Sequence, residues 1–437
     1  MPLSGSMEWV VIGYLVVIAS LLLTFGRLAD VVGRKLLLLA GLAVFTLGSA
    51  LCGAAPSLGV LVAARCFQGL GAAAIMAVNV AMITRSFGAA QRGEALGINA
   101  VFVALGVSVG PTAGGLLIHV LGWEWIFYVN VPIGGLLIVA AWYLLTERPR
   151  WERQRFDLRG AAALAVGLSA LTLGLSFGQE WGWASGRFLL AVTVATAALV
   201  GAFWLERRTP FPLLDPVLLR NRVFVLANVS FTICMLALFA VSFLLPFYFE
   251  ELRGYNTLQS ALLLTPLPLT IAVVAPLSGT LADRVGSRWL APLGLAPATA
   301  IAYVVVCLVV TGIGQGLFQS PNTRAIMAAA PPGAQGVASG TLATCRVIGQ
   351  SLSVAVAGAV FTGSGAAAAG SALAAGRETL GIEQLRPLQQ TFVNGLQAAF
   401  VVCAGFAIVG VVTALARQTE SDARDPPVPR HRPRSPS

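Results

Sequence analysis

Apolar residues in this chain run in blocks of about 20, the length a helix needs to cross a bilayer, and the polar residues between blocks are few and clustered. The blocks predict helical spans at 8–25, 36–55, 58–84, 95–118 and 125–145. Two more follow at 160–178 and 188–205, and then 223–249, 257–282, 336–362 and 394–416. The stretch 289–330 is harder to divide. Pro292 and Pro297 interrupt its early part, and bases at Arg288 and Arg324 both belong on one side of the membrane, so an even number of crossings must lie between them. A shortened helix followed by a complete one at about 302–326 is expected. The spacing groups the chain into an N-terminal bundle (1–145), a pair of linking spans with their loops (146–222) and a C-terminal bundle (223–416). The tail at 417–437, rich in Pro, Arg and Ser, is expected to be disordered and cytoplasmic.

Composition narrows the class. The 437 residues are 57% hydrophobic and 11% charged, with a mean hydropathy of +0.83, where soluble domains carry about 25% charged residues. The chain is therefore expected to be an all-α polytopic membrane protein. Its net charge of +10 is no nucleic-acid footprint, because the bases sit in short loops between spans. With residues 26–35 placed in the cytoplasm, 22 of the 28 Lys and Arg fall on that side. Arg187, Arg253, Arg377 and Arg386 fall outside, and Arg65 and Arg346 lie within spans. That bias orients the chain in a cell membrane. The six cysteines lie in apolar segments without metal spacing, and His119 and His431 are too far apart to suggest a metal site. No nucleophile–base set points to an enzyme, and no cleavable signal peptide is apparent.

One decapeptide recurs. Gly26-Arg27-Leu28-Ala29-Asp30-Val31-Val32-Gly33-Arg34-Lys35 and Gly279-Thr280-Leu281-Ala282-Asp283-Arg284-Val285-Gly286-Ser287-Arg288 share Gly, Leu, Ala, Asp, Val and Gly in register, and each lies between long apolar runs. Either copy alone could be a topology anchor; two in matching settings imply a duplicated membrane protein. Gly33 and Gly286 permit a tight turn, and Asp30 and Asp283 fall where a helix ends, near bases or a neighbouring helix start. The pattern resembles the cytoplasmic signature loop of the major facilitator superfamily. The resemblance implies that Asp30, with Arg34 beside it, latches the two halves together, and that Asp283 does so more weakly. The superfamily begins with one more helix before this loop, so the chain is expected to lack that first helix.

Three further stretches carry chemistry. Arg65 lies inside a span, with Gln68 one turn on and Gly69 and Gly71 allowing close helix approach. An intramembrane Arg either faces a polar cavity or snorkels to a carbonyl; the stretch is similar to the family's fourth-helix motif, whose Arg is associated with proton coupling. The second half has Thr311 where a matching cation would stand. Residues Gly106, Gly110, Pro111, Gly114 and Gly115 form a small-residue face around a helix-bending proline, an ordinary packing device that also resembles the motif of the family's antiporters. The run Trp123–Gly134 supplies an aromatic interfacial belt and resembles the fourteen-span drug:proton antiporter branch, which has two helices between its halves.

All 18 Asp and Glu lie in loops or at span edges, so no mid-membrane acid is evident for proton coupling. The function expected is secondary transport, exporting hydrophobic or cationic drugs or metabolites by proton antiport with alternating access, driven by the proton gradient and needing no cofactor. The lipid bilayer, protons and a small hydrophobic substrate are the expected partners, nucleic acid is not, and the protein is expected to act as a monomer. Gln68, Asn79, Asn99, Asn228, Gln319, Asn322 and Arg346 are the expected polar lining of a cavity between the halves. An uptake permease on the same fold, or a truncated remnant that does not transport, are the alternatives.

Overall fold

A computed structural model describes residues 4–88, 91–145, 156–209, 212–213, 216–281, 301–331, 333–376 and 382–424. Among these every regular element is helical, as uninterrupted apolar blocks require when backbone groups have no water to bond. In order they are α1 (Ser4–Val32), α2 (Arg34–Gly53), α3 (Leu58–Ser86), α4 (Arg92–Leu121), α5 (Trp125–Tyr128) and α6 (Asn130–Leu144). The linking pair α7 (Leu158–Trp181) and α8 (Gly186–Arg208) follows. The second half comprises α9 (Pro216–Arg220), α10 (Arg222–Phe247), α11 (Thr257–Leu264), α12 (Pro266–Leu281), α13 (Ile301–Ala328), α14 (Gln335–Gly363), α15 (Ala366–Gly376) and α16 (Ile382–Arg424).

Eleven stretches among the described residues are long and apolar enough to span a membrane. Most of the expected spans fall on helices of similar extent, but the last begins at Ile382, twelve residues before the expected 394, and the expected 257–282 is divided between α11 and α12. Three further departures are informative. The charged decapeptide is not a turn throughout: α1 continues to Val32, and the reversal rests on Gly33 alone. Gly33 takes φ 99°, a left-handed value that costs glycine nothing and any other residue strain. In the region 289–330 the complete helix is α13, while residues 282–300, and with them the second decapeptide's Asp283, lie outside the described residues. The last helix runs to Arg424, so the segment expected to be a disordered tail begins helical. At the far end of α10, Pro246 withholds a backbone donor, and the ladder slips into a π-helical turn at Tyr248–Leu252, closed by Arg253 N–H donating to the Tyr248 carbonyl at 3.1 Å.

The helices form two bundles that meet along two seams, α1 against α14 and α4 against α12. Each seam pairs a helix that precedes a decapeptide copy with a helix of the opposite half, as a pseudo-twofold arrangement requires. Glycines set the first seam. A Cβ on Gly26 would lie 2.6 Å from the Gly336 carbonyl oxygen, and one on Gly340 would lie 2.6 Å from the Leu22 carbonyl oxygen. Backbone therefore packs on backbone here. The linking helix α7 lies over the outside of this seam against both α1 and α14, with Trp9 and Phe177 rings 5.0 Å apart, while α8 packs on α7 and leaves most of its surface outward.

Candidate functional site

The junction of the two halves is built on Asp30. Helix α14 begins after Ala334, whose side chain cannot cap it, so its first N–H groups need a partner from elsewhere. Asp30, at the end of α1, supplies that partner. Its Oδ1 accepts from Gly336 N–H at 2.9 Å and its Oδ2 from Val337 N–H at 3.0 Å. The carboxylate thus caps a helix of the other half across 306 positions of sequence, where the partial positive charge of the helix N-terminus favours an anion. Arg34 completes the group: one guanidinium nitrogen donates to Asp30 Oδ1 at 3.0 Å and the other to Gln335 Oε1 at 3.2 Å. The Asp30 and Arg34 side chains are 2% and 5% exposed, so these bonds are little weakened by water. Lys35 ties the adjacent turn down, donating to the Trp142 and Leu145 carbonyls at the end of α6. Nothing in residue type pointed to Gln335 or to the α14 N-terminus as partners, although the absence of a capping side chain in 331–335 is a legible sign of a helix start in need of one.

A second cluster surrounds Arg65, within α3. Its Nε donates to the Val10 carbonyl at 3.1 Å and Nη1 to Gln68 Oε1 at 2.7 Å, while the rings of Tyr14 and Phe127 lie 4.3 and 5.4 Å away. Gln68 in turn donates to Ser49 Oγ at 2.6 Å. The guanidinium is therefore held by one carbonyl, one amide and two aromatic faces, with no carboxylate among the described residues. Gln68, expected to line the cavity, is instead 1% exposed and packed between α2 and α3, because Gly48 lets α2 close onto its backbone. Its amide oxygen helps hold the Arg65 guanidinium. The aromatic run after Trp123 is likewise more than an interfacial belt: Phe127 faces Arg65, and Tyr128 packs its ring on Gly53.

The remaining expected lining residues divide. Asn79 donates to Asn99 at 3.1 Å between α3 and α4, both half-buried. Asn322 is 1% exposed and donates to the Ala227 carbonyl, fastening α13 to α10. Asn228 is buried, its amide donating to the Phe224 carbonyl and its Oδ1 unsatisfied. Gln319 and Arg346 are half-buried. The glycine face of α4 departs from the expectation of close packing: Cβ atoms added at Gly106, Gly110, Gly114 or Gly115 would meet no described atom within 4 Å. Pro111 lies within a helix that continues on either side of it. Toward the other end of α4, a cleft of about 110 Å³ opens between the halves, lined by Thr84, Arg92, Leu96, Arg324, Met327 and Ala328. There Ser320 Oγ of α13 donates to the Gly93 carbonyl at 3.2 Å.

Two helical bundles related by an internal repeat, locked by a carboxylate on the opposing helix N-terminus and carrying a caged intramembrane arginine, define a two-bundle membrane transporter architecture. The chain belongs to the Major Facilitator Superfamily, whose model matches residues 4–354; members of this family are transport proteins, not enzymes. It is 34% identical over 368 residues to the multidrug resistance protein Stp of Mycobacterium tuberculosis (strain CDC 1551 / Oshkosh), covering 81% of this chain and 68% of that protein. To the riboflavin transporter RibZ of Clostridioides difficile (strain 630) it is 33% identical over 374 residues, 82% of this chain and 81% of the other. Its fold is similar to that of the human organic anion transporter MFSD10 (TETRAN), with a TM-score of 0.60 over 94% of this chain and 83% of that one, at 15% identity. The protein is thus a multi-pass membrane carrier of small molecules by secondary transport.

Proposed function

We propose that this chain exports hydrophobic small molecules in exchange for protons, alternating between a state closed at the Asp30 junction and one open there. The observation that carries the reading is the capping of α14 by Asp30. A bond set that joins the two halves at one end of both helices must break for that end to open, and it can re-form without any change in covalent structure. The bases clustered around the decapeptides support a cytoplasmic position for that junction and for the C-terminal tail.

Export rather than uptake is supported by the Gly106–Gly115 motif and by the resistance named in relatives such as Stp. The same motif and the α7–α8 pair support membership of the fourteen-span drug:proton antiporter branch. In this scheme Arg65 is the residue through which the proton gradient acts. A second latch at Asp283 belongs to the same proposal, with α4 as the helix of the opposite half that α12 meets. The units 1–145, 146–222 and 223–416 correspond to the two halves and their linker, within one chain acting alone.

Everted membrane vesicles test the reading. Acidifying their interior is expected to drive uptake of a hydrophobic fluorescent drug, and a protonophore to abolish it. Uptake in right-side-out vesicles with none in everted ones would make the protein a permease instead.

A further inference from the structure

Helix α14 carries one polar stripe. Ser339, Arg346, Gln350 and Ser353 follow one another at spacings of seven, four and three, which superimposes them on a single helix face. The flanking faces are already occupied. Ala343 and Val347 pack with Ile18, Ala19, Leu22, Ala72 and Ala73 of the first half, while a Cβ on Gly349 would touch the Thr232 carbonyl and Met235 of α10. The stripe lies between these two faces, where the first half, α10 and α14 converge; Ser339 and Ser353 on it are buried, Arg346 and Gln350 half-buried.

Arg346 stands about 17 Å along α14 from Gln335 at about 1.5 Å per residue, near the middle of a hydrocarbon core about 30 Å thick. It is half-buried, with its guanidinium 5.8 Å from the centre of the Phe231 ring. Among the described residues no hydrogen bond or carboxylate serves it. Asp30, the acid of the α14 junction, is held about 15 Å nearer the start of the helix and already engages Arg34, Gly336 and Val337. Two hydroxyls of the same stripe, Ser339 Oγ and Ser353 Oγ, are buried and also unpartnered. Arg65, the other intramembrane arginine, likewise has no carboxylate partner among the described residues.

An arginine in this setting stays charged, and an uncompensated charge away from bulk water is costly. Where these helices converge there is therefore an excess of positive charge and of donors, with no carboxylate paired to either arginine among the described residues. Resting on the reading of the protein as a carrier, we propose that Arg346 binds the anionic group of the transported molecule, so that the cargo is an amphiphilic organic anion, not the cationic one expected from the sequence. A carboxylate fits the guanidinium fork with two parallel hydrogen bonds. Ser339 and Ser353 can donate to acceptors on either side of it. The cargo's apolar body lies against Phe231 and the small apolar residues beside it, and its acid supplies the counter-charge that Arg346 lacks among the described residues.

The test uses the purified full chain in lipid nanodiscs and three probes on one skeleton: 2-naphthoate, its methyl ester and a 2-naphthyl trimethylammonium. Binding is read by quenching of intrinsic tryptophan fluorescence. The naphthoate is expected to bind at least tenfold more tightly than the ammonium. Arg346→Gln should weaken naphthoate binding about tenfold and change ester binding less than twofold, which also shows that the variant is folded, while Arg346→Lys should retain part of the naphthoate affinity. Equal or tighter binding of the ammonium, or naphthoate affinity unchanged in Arg346→Gln, would overturn the proposal. Ester flux into wild-type everted vesicles separates the two levels. Flux without anion preference leaves the carrier standing and removes the anionic cargo, whereas absence of flux for all three probes removes the carrier reading and this inference with it.

Discussion

Asp30 makes four favourable contacts with four buried residues' worth of structure behind them: two backbone donors, one guanidinium and the dipole of a helix that has no cap of its own. Asn at this position keeps the shape but has a single oxygen acceptor and no charge, so it forfeits one N–H bond and the ion pair. Hydrogen bonds to charged groups contribute about 1.5–3 kcal/mol each, so Asp30→Asn should shift the closed–open balance by about 2 kcal/mol, roughly 30-fold. Export should fall while the amount of protein in the membrane is unchanged, as measured by drug efflux normalised to membrane yield. Full activity in the variant would remove the latch. Arg65 is different in kind, since its partners are a carbonyl, an amide and aromatic faces. Arg65→Ala is expected to abolish pH-gradient-driven flux, and Lys to retain part of it, because Lys keeps the charge but cannot bond to Val10 and Gln68 in one plane. Flux measured at a fixed imposed gradient decides this, and normal flux in the Ala variant would make Arg65 a packing residue. Both residues were visible in the sequence as charges out of place in apolar surroundings. Their partners were not, because a carbonyl at Val10 and an N–H at Gly336 leave no trace in residue type.

At the scale of helices, apolar run length located the spans but not their ends. The block 8–25 gave way to charges at Arg27 and Asp30, yet α1 continues to Val32, since a buried acid with its partners supplied from α14 is tolerated in a last turn. Gly33, by contrast, was legible as the reversal, and its φ of 99° is the physical reason. Glycine spacing alone could not rank the two small-residue faces. Gly26, Gly336 and Gly340 hold α1 and α14 backbone to backbone, whereas Gly106 and Gly110 face no described atom. Gly340→Ala should therefore force the helices apart at Leu22 and lower the thermal midpoint of the purified protein. Gly106→Ala should leave it unchanged or raise it slightly, because Ala is favoured over Gly in a helix by roughly 0.5–1 kcal/mol. Thermal unfolding followed by tryptophan fluorescence compares them, and an equal loss in both variants would show that the seam is not set by backbone contact.

At the scale of the whole molecule, duplication of the decapeptide foretold two related halves, and the seams α1–α14 and α4–α12 realise them. The choice of α14 as the helix Asp30 engages could not be read from the repeat, because it depends on how the two bundles dock and bring together residues 306 positions apart in sequence. Polar residues inside spans were a mixed guide for the same reason. Gln68 and Asn322 are buried and bonded within the bundles, while Arg346 is half-buried on a stripe between two packed faces. Under the proposed mechanism the Asp30 junction is the cytoplasmic gate of an alternating carrier. Ser339, one turn into α14 from Gly336 and 1% exposed, reports on its opening. With the six native cysteines replaced, Ser339→Cys is labelled with a membrane-impermeant maleimide applied to the cytoplasmic face of everted vesicles. Labelling should be slow with Asp30 present and should accelerate on the order of 30-fold with Asp30→Asn, following the loss of about 2 kcal/mol at the junction. The same slow rate with and without Asp30→Asn would contradict the account.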